Sequence, residues 1–169
     1  AHSPAGKDLY TGLDRWLWRV PGGLVISNIG ACSIFAALSG SSPATCAAIG
    51  TMGIPEMRKI GYSDQIATGT IAAGGTLGVL IPPSIVLIVY GMATGTSIGR
   101  LFLSGVVPGF MLASLFAIWA LIHSYFIDKN AAKLLRNRKP PTLKEKFEVL
   151  PRVFPFLAII IGVLYVLYG

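Results

Sequence analysis

The chain has 169 residues, of which 53% are hydrophobic and 12% charged, where an ordinary soluble domain carries about a quarter charged residues. Charge is absent from 20–55, 65–99, 101–127 and 153–169, runs of 36, 35, 27 and 17 residues. Uncharged apolar runs above roughly 18 residues are candidate membrane spans, so the composition excludes a soluble globular domain and predicts an all-α integral membrane protein.

The net charge of +7 does not point to nucleic acid, because eight of the 14 basic residues fall between 129 and 152. A basic loop between apolar spans is the pattern of a cytoplasmic segment, in contact with lipid headgroups. Ala1 in place of an initiator Met, and a last apolar run ending at Gly169, lead us to expect a fragment or a processed chain.

The first element, within residues 1–21, is read as an interfacial arm helix. Leu9, Leu13, Trp16, Leu17 and Val20 share one face, and Trp and Arg together favour the headgroup layer. Residues 22–57 then contain Ser39-Gly40-Ser41-Ser42-Pro43-Ala44-Thr45. Gly40 suits a helix C-cap, Ser42 an N-cap and Pro43 the first helical position. The expected helices are about 17 and 13 residues, or roughly 25 and 19 Å, the second too short to cross a ~30 Å hydrocarbon core. Arg15 and Arg19 precede the pair and Arg58 and Lys59 follow it, placing both ends on one side. The prediction is a re-entrant hairpin with its tip inside the membrane.

Residues 64–95 hold Gly74-Gly75-Thr76-Leu77-Gly78 and then Pro82-Pro83. Three glycines weaken a helix, and residues before proline leave the helical region. A discontinuous transmembrane helix follows, with halves near 65–76 and 83–94. An unbroken span is read at 98–128, with His123 in a headgroup-level or helix–helix role. The basic cytoplasmic loop at 129–152 and the start of another span at 153–169 complete the chain. Cys32 and Cys46 are expected as small buried hydrophobes.

Helix ends inside hydrocarbon leave backbone groups unpaired unless something binds them. At the tip, the carbonyls of Leu38 and Ser39 and the hydroxyls of Ser39, Ser41, Ser42 and Thr45 form a set of neutral oxygens. The second break adds carbonyls from Gly75 to Val79 and the Thr76 hydroxyl. With no Asp or Glu beside either break, such a set suits a monovalent cation. The helices starting at Pro43 and Pro83 present N–H groups, and Ser42 and Ser84 add hydroxyls, for the carboxylate of a solute. No carboxylate pair, His/Cys set or nucleophile–base pattern supports an enzyme.

Phe35-Ala-Ala-Leu-Ser-Gly-Ser-Ser-Pro-Ala-Thr45, Ala48-Ile-Gly50, Ile54-Pro55, Gly61-Tyr62, Gly74-Gly-Thr-Leu-Gly-Val-Leu-Ile-Pro-Pro-Ser84 and Tyr90-Gly91 resemble the large membrane subunit of TRAP (tripartite ATP-independent periplasmic) transporters. The resemblance implies half of an inverted-repeat, elevator-type importer in the bacterial inner membrane, driven by Na⁺. Its solutes would be organic acids such as C4-dicarboxylates, keto acids or sialic acids. Its partners would be a periplasmic substrate-binding protein, a small membrane subunit, separate or fused, and the remaining half of the large subunit. On this basis Ser39, Ser42, Gly75, Thr76, Gly78, Val79 and Pro83 are candidate sodium ligands, partly through backbone. Ser41, Ser42, Pro43, Thr45, Pro83 and Ser84 are candidate solute-binding residues. A binding-protein-independent symporter of the same hairpin architecture and a channel or scaffold are the competing readings.

Overall fold

The structure, a computed structural model, describes residues 12, 13, 17, 22–126, 154, 158, 159, 161, 162, 165 and 166. The basic loop at 129–152 and most of the arm helix and of the final span lie outside the described residues. All regular structure in the described part is helical: α1 (Gly23–Ser39), α2 (Ser42–Ile60), α3 (Asp64–Leu80), α4 (Ile85–Thr94) and α5 (Ile98–Phe126).

Each boundary has a local cause. Gly40 ends α1 in the left-handed region (φ 59°), its N–H donating to Ala36 O at 2.8 Å. Ser41, in extended conformation, precedes α2, and Pro43 sits in the first turn, where its missing N–H leaves no bond unmade. The sequence reading put Ser42 at the cap; the structure moves the cap to Ser41, and neither serine caps through its side chain. Gly61 (φ 100°) closes α2 by donating to Met57 O and Arg58 O. Arg58 then pairs with Asp64 across the turn at 2.6 Å, and Ser63 Oγ accepts from Ile66 N–H at the start of α3.

Two expected lengths are corrected. α2 continues through Pro55 to Ile60, so its 19 residues measure about 28 Å, and shortness no longer argues for re-entrance. Pro55 lies on an exposed face, where one missing hydrogen bond and the ring are accommodated without ending the helix. α3 runs on through Gly74, Gly75 and Gly78 to Leu80, where a half-helix ending near 76 was expected. The prolines do interrupt it: Ile81 is extended (φ −75°, ψ 119°), and Pro82-Pro83, joined by a cis peptide bond, precede α4.

α1 and α3 lie side by side in the same direction, since Cys32 meets Gly74 and the tip meets Gly78. α2 runs back between them, Gly53 lying on Asn28 and Gly50 on Ile71. The shared core holds Leu24, Val25, Ile29, Cys32, Ile49, Met57, Ala67 and Ile71, each no more than 4% exposed. Cys46 is half-buried, its thiol 3.6 Å from Ile71 O. α5 returns antiparallel to α3. Its Gly105 and Gly109 seat Leu80 and Ile81, and its far end lies beside Gln65 and Thr70. The stretches Asp64–Thr94 and Ile98–His123 are each long and apolar enough to cross a membrane.

A Cβ at Gly53 would fall 2.5 Å from Asn28 Oδ1 and 3.2 Å from Ile71 Cδ1. Asn28 is fully buried, its Nδ2 on Met57 Sδ at 2.8 Å and its Oδ1 without a partner. Gly53→Ala is therefore expected to destabilise the full-length protein by about 1–3 kcal/mol, read as a lower thermal midpoint in detergent. Adding Asn28→Ala should recover part of the loss. An unchanged midpoint in the single variant would show that α1 and α2 do not pack this closely.

Candidate functional site: the hairpin tip on the helix break

The tip between α1 and α2 and the break between α3 and α4 are one locus. Ile85 N–H donates to Gly40 O at 3.2 Å, so the first turn of α4 is bonded directly to the tip. A Cβ on Gly40 would lie 2.6 Å from Pro83 O, and one on Gly78 would lie 2.7–2.9 Å from Ser41 C, Ser41 O and Ser42 N. A Cβ on Gly75 would run into the Cys46 sulfur. The glycines of α3 therefore let the tip backbone approach the helix.

Oxygens converge inside the tip. Thr45 Oγ1 donates to Ser41 O at 2.8 Å, and Ser39 Oγ lies 3.0 Å from Thr45 Oγ1 and 3.3 Å from Ser41 O. The Ser41 N–H points to Ser39 Oγ at 3.4 Å. Thr45 is fully buried. The last carbonyls of α1 and α3 end here too. Those of Ala36 and Leu77 accept from Gly40 and Ile81 at 2.8 Å each; the three that follow each of them lie beyond the regular helical ladder.

Two hydroxyls at this locus have no partner among the described residues. Ser42 Oγ, in the first turn of α2, and Ser84 Oγ, on the residue before α4, are both buried and unbonded. A buried hydroxyl without a hydrogen bond costs about 1–3 kcal/mol. Both stand where helix N-termini present N–H groups and partial positive charge. The arrangement offers acceptor oxygens on one side and donors on the other, with no charged side chain among the residues named.

The predicted site residues divide accordingly. Ser39, Ser41, Ser42, Thr45, Gly78, Pro83 and Ser84 come together at the tip and break. Pro43 is exposed in the first turn of α2. Gly75 seats Cys46 and lies under Ser42 O, 3.5 Å from its would-be Cβ, inside the helix. Thr76 is exposed and donates back to Ala73 O at 2.6 Å. Val79 is 36% exposed near the end of α3. The Thr45–Ser39 pair and the Gly40–Ile85 bond were missed; the Gly-Gly-x-x-Gly spacing was the available signal for a close backbone approach.

The described residues are those of an all-helical chain with two stretches long and apolar enough to cross a membrane. The sequence profile of the "Tripartite ATP-independent periplasmic transporter, DctM component" matches residues 1–169, and the chain belongs to this family. It is 59% identical over 100 residues (59% of the chain) to the C4-dicarboxylate TRAP transporter large permease protein DctM of Vibrio cholerae. It is 54% identical over 94 residues (56% of the chain) to the protein of the same name from Pseudomonas aeruginosa. It is 44% identical over 117 residues (69% of the chain) to the isethionate TRAP transporter permease protein DctMQ of Oleidesulfovibrio alaskensis. The matched segments span 22%, 22% and 18% of those proteins.

Proposed function

We propose that this chain supplies one half of the cation- and solute-binding region of a sodium-coupled importer of small organic anions in the bacterial inner membrane. The three converging oxygens Ser39 Oγ, Ser41 O and Thr45 Oγ1, beside two buried hydroxyls without partners, carry the reading. Sodium is a co-transported substrate in this scheme. It would take the tip oxygens and the last carbonyls of α3, from Gly78 to Leu80, as hard cations do at interrupted helices in secondary transporters. The solute's anionic group would take Ser84 and the N-termini of α2 and α4, with Ser42 shared between the anion and the cation. Relatives named for a C4-dicarboxylate and for isethionate support an organic anion as cargo. We assign the delivery of that anion to a periplasmic binding protein, and the bracing of the permease to a small membrane subunit. Within this reading the hairpin is re-entrant, and transport proceeds by elevator-like displacement of the hairpin with the broken helix.

In the full-length permease with its partners, Thr45→Val should raise the sodium concentration for half-maximal uptake by about tenfold, the equivalent of roughly 1.4 kcal/mol of lost cation binding. Solute affinity at saturating sodium should change little. Ser42→Ala should raise both the sodium requirement and the solute concentration needed. Sodium dependence unchanged in both variants would remove the tip from cation binding.

A further inference from the structure

Two thiols meet α3 at consecutive glycines. A Cβ on Gly74 would lie 2.8 Å from Cys32 Cβ and 2.9 Å from Cys32 Sγ, and one on Gly75 would run into Cys46 Sγ. Successive helical residues differ by about 1.5 Å in height, so Cys32 of α1 and Cys46 of α2 reach α3 at nearly one level. The two groups lie within electrostatic reach of each other. Neither is in a disulfide; Cys32 is fully buried and Cys46 half-buried.

Their neighbours supply no competing soft donor. The Met57 sulfur sits beside Asn28 and Thr70, each one helical turn before Cys32 and Gly74 on its own helix. It already accepts from Asn28 Nδ2 at 2.8 Å and from Thr70 Oγ1 at 3.8 Å. Among the described residues no three His, Cys, Asp or Glu side chains are grouped to hold a metal ion, so a four-ligand site of the zinc type is not built here.

We propose that Cys32 and Cys46 form a two-sulfur site for a thiophilic monovalent ion, Cu(I) or Ag(I). Soft sulfur ligands select such ions over hard ones, and two sulfurs in line satisfy them. On binding, one S–H bond breaks, its proton leaves to water, and that sulfur bonds the ion. The second thiol keeps its proton and donates a lone pair. One cation replaces one proton, so no net charge is buried in the core. The site uses none of the tip oxygens and stands whether or not sodium binds there.

The test is native mass spectrometry of the full-length permease after exposure to silver nitrate and removal of free ion. Wild type should retain one silver, at the mass of the ion less one proton, that Cys32→Ala, Cys46→Ala and the double variant all lack. Unchanged retention in either single variant, or losses that add in the double variant, would overturn the shared site. A second measurement needs only the wild type. Silver should slow alkylation of the half-buried Cys46 by N-ethylmaleimide at least about tenfold, because the reacting sulfur is occupied. In Cys32→Ser, which keeps the side chain's size, that protection should be lost. Alkylation of Cys46 at the same rate with and without silver, or equal protection in Cys32→Ser, would refute the assignment.

Discussion

Replacing Gly78 with valine is expected to reduce uptake by the full-length permease by roughly 10- to 100-fold, with normal insertion into the membrane. The would-be Cβ meets Ser41 C, Ser41 O and Ser42 N at 2.7–2.9 Å. All three are backbone atoms of a tip that is itself tied to α4 through Gly40 O and Ile85 N, so nothing there can swing aside. Relief requires the tip to lift off α3, which takes Ser42 away from its seat over Gly78 and disturbs the Ser39–Ser41–Thr45 oxygens. An overpacked contact of this kind costs about 1–3 kcal/mol, and each ~1.4 kcal/mol is about a factor of ten in rate. Gly69→Ala, on the same helix with open space around it, is the control for helix propensity and should be near neutral. Sodium-driven uptake and surface expression read the outcome. Wild-type uptake in Gly78→Val would mean that the tip does not rest on α3 during transport.

Local punctuation made the tip legible. Ser39-Gly40-Ser41-Ser42-Pro43 contains both a helix stop and a helix start, and both signals act within a few residues of where they stand. The proline pair likewise marked the second interruption. The glycines of α3 were misread because propensity records what a residue does to its own helix and not what packs on it. Gly74, Gly75 and Gly78 are tolerated since Cys32, Cys46 and the Ser41–Ser42 backbone fill the space that side chains would have taken. α2 outruns its expected length of about 13 residues because a single proline on an exposed face, Pro55, removes one hydrogen bond and the remaining ladder outweighs it. The docking of tip on break joins residues some forty positions apart, and no local pattern encodes that distance. Thr45, which the sequence places both among the neutral oxygens of the tip and among the candidate solute residues, turns inward onto Ser39 and Ser41 in the closed tip.

The geometry also bears on how the two interruptions act. Separate gates would need separate freedom, yet the tip and the first turn of α4 share a hydrogen bond, and Gly40 and Gly78 leave no room between the partners. Displacing one break while holding the other would break the Gly40–Ile85 bond and, with the tip inside the membrane as proposed, expose polar backbone to hydrocarbon, where each unpaired group costs several kcal/mol. Movement of the hairpin and the broken helix as one body avoids that penalty. This is the physical ground for the elevator-like displacement proposed above.

Replacing Pro82-Pro83 with Ala-Ala tests the second interruption directly, and uptake is expected to be abolished with insertion intact. In the native chain Ile81 is extended because a proline follows it, and α3 stops at Leu80. With alanines the constraint on Ile81 is gone, a full set of N–H donors is restored, and both new residues are strong helix formers. α3 and α4 then tend to merge into one helix from Asp64 to Thr94. The bond from Ile85 to Gly40 opposes the merger, but Ile85 N–H regains a partner inside the merged helix, so only Gly40 O is left unpaired against several restored helical bonds in an apolar medium. Merging draws Ser84 into the helix interior, removes the free N-terminus of α4 and closes the carbonyls of Gly78, Val79 and Leu80 into the ladder. Both halves of the proposed site would go together, the cation oxygens and the anion donors. Loss of uptake should therefore persist at saturating sodium and saturating solute, unlike Thr45→Val, whose defect should be overcome by sodium. A Pro82-Pro83→Ala-Ala permease that still transports would place the binding chemistry elsewhere in the molecule.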